Sequence, residues 1–423
     1  MKRRPVPALA AALCAAALLL PGAARAGAPP PAVDLSGIFS APLAIAATTA
    51  GGGQSYVALS GRNDAAGGFG PSRVRTYRVD DGGQLESLES LRHGEGHVDL
   101  LAFSTDRDRP CIAYSVERAA FERSHTIACL RDQEWIELAF DAPFDTYDLV
   151  DLGRSGGRLY ALLSTPESER LLGRALENAY YLFGWTGRRW FPMGDPLPQA
   201  PGPILSPLAR LGERDAGSKG APPIAVVDPI GRNRRIDVVE LSTAGWRYAG
   251  LELRSGSSGP EPVGRPIAVG ERIFMADSLI GARLPRPGSR RAARRFAVLA
   301  TIDGAQRAIE VDRGLPANSD FVRGTLTRAG ERLWASWEQQ ARTPRGVQAR
   351  AYVVSIDPAT LAVSPPRLLF RYRLRKAARL GEPTVVDLGP TRYVAYIDPV
   401  SGPRLRPLAS FPLATRRQAS ARR

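Results

Sequence analysis

The sequence predicts an all-β chain built from seven copies of one four-stranded antiparallel unit. Two observations carry that expectation. Short apolar segments with a small central residue recur along the chain, and long helical periodicity is missing between them. The segments are YVALS, CIAYS, LYALLS, IAVVD, IFMAD, LWASW and YVAYID. Their central alanines are Ala58, Ala113, Ala161, Ala225, Ala276, Ala335 and Ala395, separated by 48 to 64 residues. Several are preceded by a shared turn, as in AVGERIFMA, RAGERLWAS, DLGPTRYVA and DLGRSGGRLYA. There Gly153, Gly270, Gly330 and Gly389 are expected to give the backbone freedom a tight reversal needs.

One unit reads in full. HVDLLAF is a first strand, CIAYS a second, SHTIACL a third and WIELAF a fourth, joined by STDRDRP, VERAAFER and RDQE. Other units end in GRRWFPM and AGWRYAGL, so Trp135, Trp190 and Trp246 open fourth strands. Four short antiparallel strands at this period are the signature of a β-propeller. Residues 33–412 resemble the β-propeller superfamily at fold level, in its seven-bladed form. WD dipeptides, kelch glycine pairs and the S-x-D-x-G-x-x-W boxes of sialidases are not found. The nearest fragment, FSTDRDRP, lacks the glycine and the tryptophan. The resemblance therefore implies no catalytic residues. The last repeat has room for a second and a third strand, RYVAYID and RLRPLAS. The early segment VDLSGIFSA is expected to complete that blade and close the ring without an open edge.

The N-terminus opens MKRRPVPALAAALCAAALLLPGAARAGAPPP. A basic start, an apolar run too short to span a bilayer and the Ala24-Arg25-Ala26 site describe a signal peptide over residues 1–26. Residues 27–32 read as a Pro-rich linker and 413–423 as a disordered basic tail. The expected location is periplasmic or secreted, with no transmembrane segment once the signal is cleaved. Cleavage takes four basic groups from the formal charge of +15 and leaves +11, nearly all of it arginine. Arginine grips carboxylates and phosphates through a planar donor fork. Nucleic acid is not an expected partner outside the cytoplasm, whereas acidic glycans, anionic lipids and acidic proteins are. Cys111 and Cys129 face each other across the second and third strands of the unit above, so an exported chain is expected to join them.

The stretch LRHGEGHVD holds His93 and His97, two of the three histidines, around Glu95. Its glycines oppose a helix, and on an extended strand the two rings lie about 13 Å apart. No third ligand is evident, so no metal is expected, and no cofactor motif is found. The stretch leads into a first strand, which places His97 and Asp99 near a channel mouth. The connections between second and third strands share that face and concentrate arginine. SVERAAFERS carries Arg118 and Arg123, GRNRRID carries Arg234 and Arg235, GARLPRPGSRRAARRF carries Arg290, Arg291, Arg294 and Arg295, and ARTPRGVQAR carries Arg342, Arg345 and Arg350. His97, Asp99, Arg234, Arg235, Arg290, Arg291, Arg345 and Arg350 are the candidate ligand-binding residues. Basic loops around one mouth raise the local concentration of anions. They also solvate a surface without binding anything.

Catalysis needs two converging carboxylates. Asp99, Asp148, Asp151, Asp228, Asp277 and Asp398 lie on first or second strands. Asp228, Asp277 and Asp398 recur after the second strand, which reads as turn capping. No catalytic residue is assigned. Three readings stand: a binding or scaffolding module, a hydrolase or lyase on acidic saccharides, and a structural envelope component.

Overall fold

The computed structural model describes residues 33–414 apart from 36–37, 40, 50–53, 63–71, 81–83, 90, 92–95, 107–108, 120–121, 141–146, 166–178, 198–209, 215–222, 231–234, 255–263, 281–293, 313–314, 316–320, 375–382, 389–390, 399 and 401. The described residues form seven sheets, each with a core of four antiparallel strands. Blades 1 to 6 cover residues 41–87, 97–137, 148–192, 210–254, 267–310 and 321–374, and blade 7 covers 384–407. The chain is a seven-bladed β-propeller.

All seven central alanines fall on second strands and are 0 to 4% exposed. A second strand is covered on both faces by the neighbouring blades. It therefore reads as a continuous apolar run, not as an alternating one. The apolar clusters show this directly, since each of the larger ones joins two adjacent blades. Cys111, Ala113 and Cys129 of blade 2 pack on Leu152, Leu159 and Phe183 of blade 3. Phe296 of blade 5 stacks on Trp337 of blade 6, with ring centroids 5.0 Å apart. Gly324 makes room for that stack, because a Cβ there would stand 2.4 Å from the Phe296 ring.

Blade 2 follows the strand order read from the sequence, at His97–Asp106, Arg109–Ala119, Glu122–Arg131 and Glu134–Glu137. Cys111 and Cys129 are register partners and form a disulfide. Asp132 and Gln133 both have positive φ, which makes RDQE the primed two-residue turn that suits strand twist. VERAAFER is not a loop. The two strands extend through it and leave only residues 120–121 between them.

Val33–Asp34 pairs antiparallel with Gly402–Pro407 as the outer strand of blade 7. The N-terminal segment thus completes the last blade, as VDLSGIFSA was expected to do. Pairing runs on to Ala414, whose N–H donates to Pro366 O at 2.8 Å. The expected signal peptide and linker, and residues 415–423, lie outside the described residues. Among the described residues no helix is long and apolar enough to cross a membrane.

Two details depart from expectation. Gly153 is not at a turn but inside the first strand of blade 3, where its missing Cβ lets Leu211 of blade 4 approach. Gly156 and Gly157 take the reversal instead. Gly270 and Gly330 do sit in turns with positive φ, and Gly389 lies outside the described residues. The inner edge of blade 4 also switches sheets. Arg210–Leu211 is its first strand, and Glu213–Arg214 then runs parallel to Ile267–Val269 of blade 5. Glu213 and Arg214 are thereby carried into the channel.

Candidate functional site

The propeller has an upper face, bearing the connections into first strands and the turns between second and third strands. Its lower face bears the turns between first and second strands. The expected site lies on the upper face. There His97 opens the first strand of blade 2. Its Nδ1 lies 3.2 Å from Ser72 Oγ of blade 1, and its Nε2 lies 3.1 Å from Asp99 Oδ1. Arg123 Nη2 donates to Asp99 Oδ2 at 2.9 Å. The order Ser, His, Asp invites comparison with a nucleophilic triad. Ser72 is only 1% exposed, and its hydroxyl also bonds the N–H and C=O of Val98, so it pins two blades together and cannot meet a substrate. His93 and Glu95 lie outside the described residues. Among the described residues no group of three potential metal ligands converges.

The arginines divide into three groups. Arg234, Arg290 and Arg291 lie outside the described residues. Arg235 and Arg294 open the third strands of blades 4 and 5, at the upper face. In blade 6 the second and third strands, Arg332–Thr343 and Gly346–Ile356, are joined by only Pro344 and Arg345. Arg342 and Arg345 are exposed there. Arg350 is not a loop residue, contrary to the reading of ARTPRGVQAR. It lies in the third strand, buried to 9% exposure, and Nη2 donates to Gln348 Oε1 at 2.8 Å. The hairpin is tighter than the Pro-Gly composition implied, so its strands reach past the arginine. The fourth strand, Arg367–Leu374, adds exposed Arg371 and Arg373, which the sequence reading did not single out.

Asp148, Asp151 and Asp398 each have described partners. His125 Nε2 lies 3.1 Å from Asp148 Oδ1, and this hydrogen bond is the main cause holding the carboxyl below its ordinary value. Beside them a cavity of about 210 Å³ between blades 2 and 3 is lined by His125, Glu137, Phe140 and Tyr147. Burial pushes the Tyr147 phenol up. Asp151 is fully buried. Its oxygens accept from the N–H groups of Leu152 and Leu211, both at 2.9 Å, and from Arg265 Nη2. One carboxylate thus ties blades 3, 4 and 5. Asp398 accepts from Val400 N at 2.9 Å, the turn-capping role expected of it. It also accepts from Tyr372 OH at 2.6 Å. Burial and then that bond push Tyr372 up to about 12. Asp277 and Asp228 lie within their strands, which end at Ile280 and Ile230, so neither follows the second strand as read.

A larger cavity lies at the other end. It occupies about 410 Å³ and is lined by the ends of the first strands together with Glu213 and Arg214. Arg154 Nη1 donates to Thr105 Oγ1 at 2.9 Å. Arg214 donates to Glu240, which also takes Arg247 Nη2 at 2.6 Å. Thr49 Oγ1 donates to Asp387 O at 2.8 Å, and Arg392 Nε to Asp387 Oδ1 at 3.0 Å. The sequence reading missed this site. Its signal was a run of Ser, Thr and Arg at the ends of first strands, in ATT, FST, LGR and LTR.

No family model matches the chain, and no curated protein matches it in sequence. Its fold is similar to that of several solved structures. One is a PL25 polysaccharide lyase, an ulvan lyase bound to -[GlcA(1-4)Rha3S]-, at TM-score 0.48 and 11% identity over 89% of this chain and 95% of that one. Another is YCF48 bound to D1 peptide, at TM-score 0.46 and 10% identity over 92% and 98%. A third is AofleA from Arthrobotrys oligospora, at TM-score 0.42 and 12% identity over 79% and 90%. The seven sheets themselves carry the fold assignment.

Proposed function

We propose that the chain is an exported propeller that binds or scaffolds acidic polysaccharide through the upper face. The observation that carries this reading is the blade 6 arm. Residues 339–356 and 367–381 contain no Asp or Glu, yet Arg342, Arg345, Arg371 and Arg373 all stand exposed on that arm. Guanidinium forks bind carboxylate and sulfate groups with charge-assisted, bidentate geometry. A polymer that repeats one negative charge per sugar would meet several of them at once. Export rests on the signal-peptide pattern, and mature protein recovered from cells is expected to begin at Gly27.

The test is retention on an acidic polysaccharide matrix across a salt series. Binding should weaken once ionic strength brings the Debye length to about 8 Å. Replacing Arg342, Arg345, Arg371 and Arg373 together by Ser should release the protein at lower salt with an unchanged melting temperature. Unchanged retention in that variant would reject the reading.

A further inference from the structure

The lower cavity is lined by a cation that has no counter-charge among its described partners. Arg154 is half-buried, and its one described partner is the neutral hydroxyl of Thr105. Its Nε is buried without a hydrogen bond. Arg214 Nε is buried without a hydrogen bond as well, and so is Thr327 Oγ1. All three residues line the same cavity. Buried polar atoms are normally satisfied, and a desolvated charge without a counter-charge is costly. All three residues belong to the wall of one hollow, and Arg154 is a guanidinium there whose one described partner carries no charge. The volume is within the range of small-ligand sites.

The lining also states the ligand's charge. Three arginines line the hollow: Arg214 faces Glu240 and Arg328 Nε donates to Gly330 O at 3.3 Å, so Arg154 is the one whose single described partner is a neutral hydroxyl. Glu213 and Asp387 on the same wall oppose a dianion. They also offer acceptors for hydroxyl groups, while Thr48 and Ser104 offer hydroxyls of their own. We infer that the lower cavity binds a small hydroxylated monocarboxylate, the size of a single uronic or aldonic acid, with its carboxylate on Arg154. This site lies at the opposite end of the channel from the arginine arm and does not depend on the polysaccharide reading.

The experiment is calorimetric titration of the mature protein with D-glucuronate, D-galacturonate and D-gluconate, with D-glucose and inorganic phosphate as controls. At least one of the three acids should bind with one-to-one stoichiometry. Glucose should bind at least about tenfold more weakly, since it lacks the charge-assisted bonds. Phosphate should not compete. Arg154→Gln should weaken the acid at least about tenfold without lowering the melting temperature, because it removes a charge that no described counter-charge balances. Thr48→Val should weaken it by a smaller factor. The quadruple arginine variant of blade 6 should bind it as the wild type does. Failure of all three acids to bind, phosphate binding as tightly as they do, or full affinity in both Arg154→Gln and Thr48→Val would overturn the proposal.

Discussion

Asp99, at the upper mouth, has a side chain 40% exposed between His97 and Arg123. Asp151, deeper in the channel, is fully buried between Arg265 and two backbone N–H groups. Both are aspartates on first strands of adjacent blades, and both accept from an arginine. Water sets the difference between them. At the mouth, solvent screens the pair and replaces either partner when the other is lost. Inside, the loss of Asp151 leaves Arg265 without its counter-charge, holding only the Leu152 carbonyl, and strands the N–H of Leu211. The ring is thus held by its buried ties, and the charges at its mouth are available for contact.

The largest expected effect tests that contrast directly. Asp151→Ala should cost about 3–5 kcal/mol, the cost of breaking a buried pair by removing one partner. Asp99→Ala should cost about 1 kcal/mol or less, as exposed pairs do. Urea unfolding of the two variants measures both. Equal costs would break the comparison.

The disulfide comes next. Cys111 and Cys129 are 18 residues apart in sequence and lie in the blade 2–3 core. Closing a loop of that size is worth about 3 kcal/mol in the chain-entropy model. Cys111→Ala with Cys129→Ala should lower the unfolding free energy by about that much, and dithiothreitol should lower the wild type alike. Blade 2 carries the upper mouth, so His97 and Asp99 should lose protection from hydrogen exchange before blades 4 to 6 do.

A smaller effect is expected at the blade 5–6 contact. Gly324→Ala would push a Cβ into the Phe296 ring, and overpacking of this kind costs about 1–3 kcal/mol. Thermal unfolding of the variant checks it, and the upper-face binding of the folded protein should persist.

The fold was legible because every blade repeats the same physical problem. A strand buried on both faces must be continuously apolar, and one squeezed between neighbours must be small at its centre. Seven alanines therefore marked seven second strands. The ring closure by Val33–Asp34 was legible because the last repeat lacked a strand. The site was much less so. Arg350 looked like a loop residue, because composition does not show how far a hairpin's strands extend toward its turn. The lower cavity was hidden more deeply. Thr48, Ser104, Arg154 and Thr327 come from four blades, and each looks like an ordinary strand end alone. Glu213 and Arg214 enter only because the chain switches sheets after Leu211, a pairing no local pattern announces.

The smallest expected effect concerns Asp148, a second exposed carboxylate at the mouth. Its carboxyl is 45% exposed and is held below the ordinary value chiefly by the hydrogen bond from His125. A carboxyl whose pKa is depressed on folding stabilises the protein above the unfolded value of 3.8, and that contribution is lost as pH falls through the folded value. Asp148→Asn should therefore be less stable than the wild type at neutral pH. Solvent screening keeps the difference to about 1 kcal/mol or less. The two stability curves should converge below pH 3.8, as the wild-type carboxyl takes up its proton. Urea unfolding of both proteins from neutral pH downward reads the gap. A gap that widens toward low pH would mean that Asp148 gains nothing from His125, and that the upper mouth is not organised by its ion pairs.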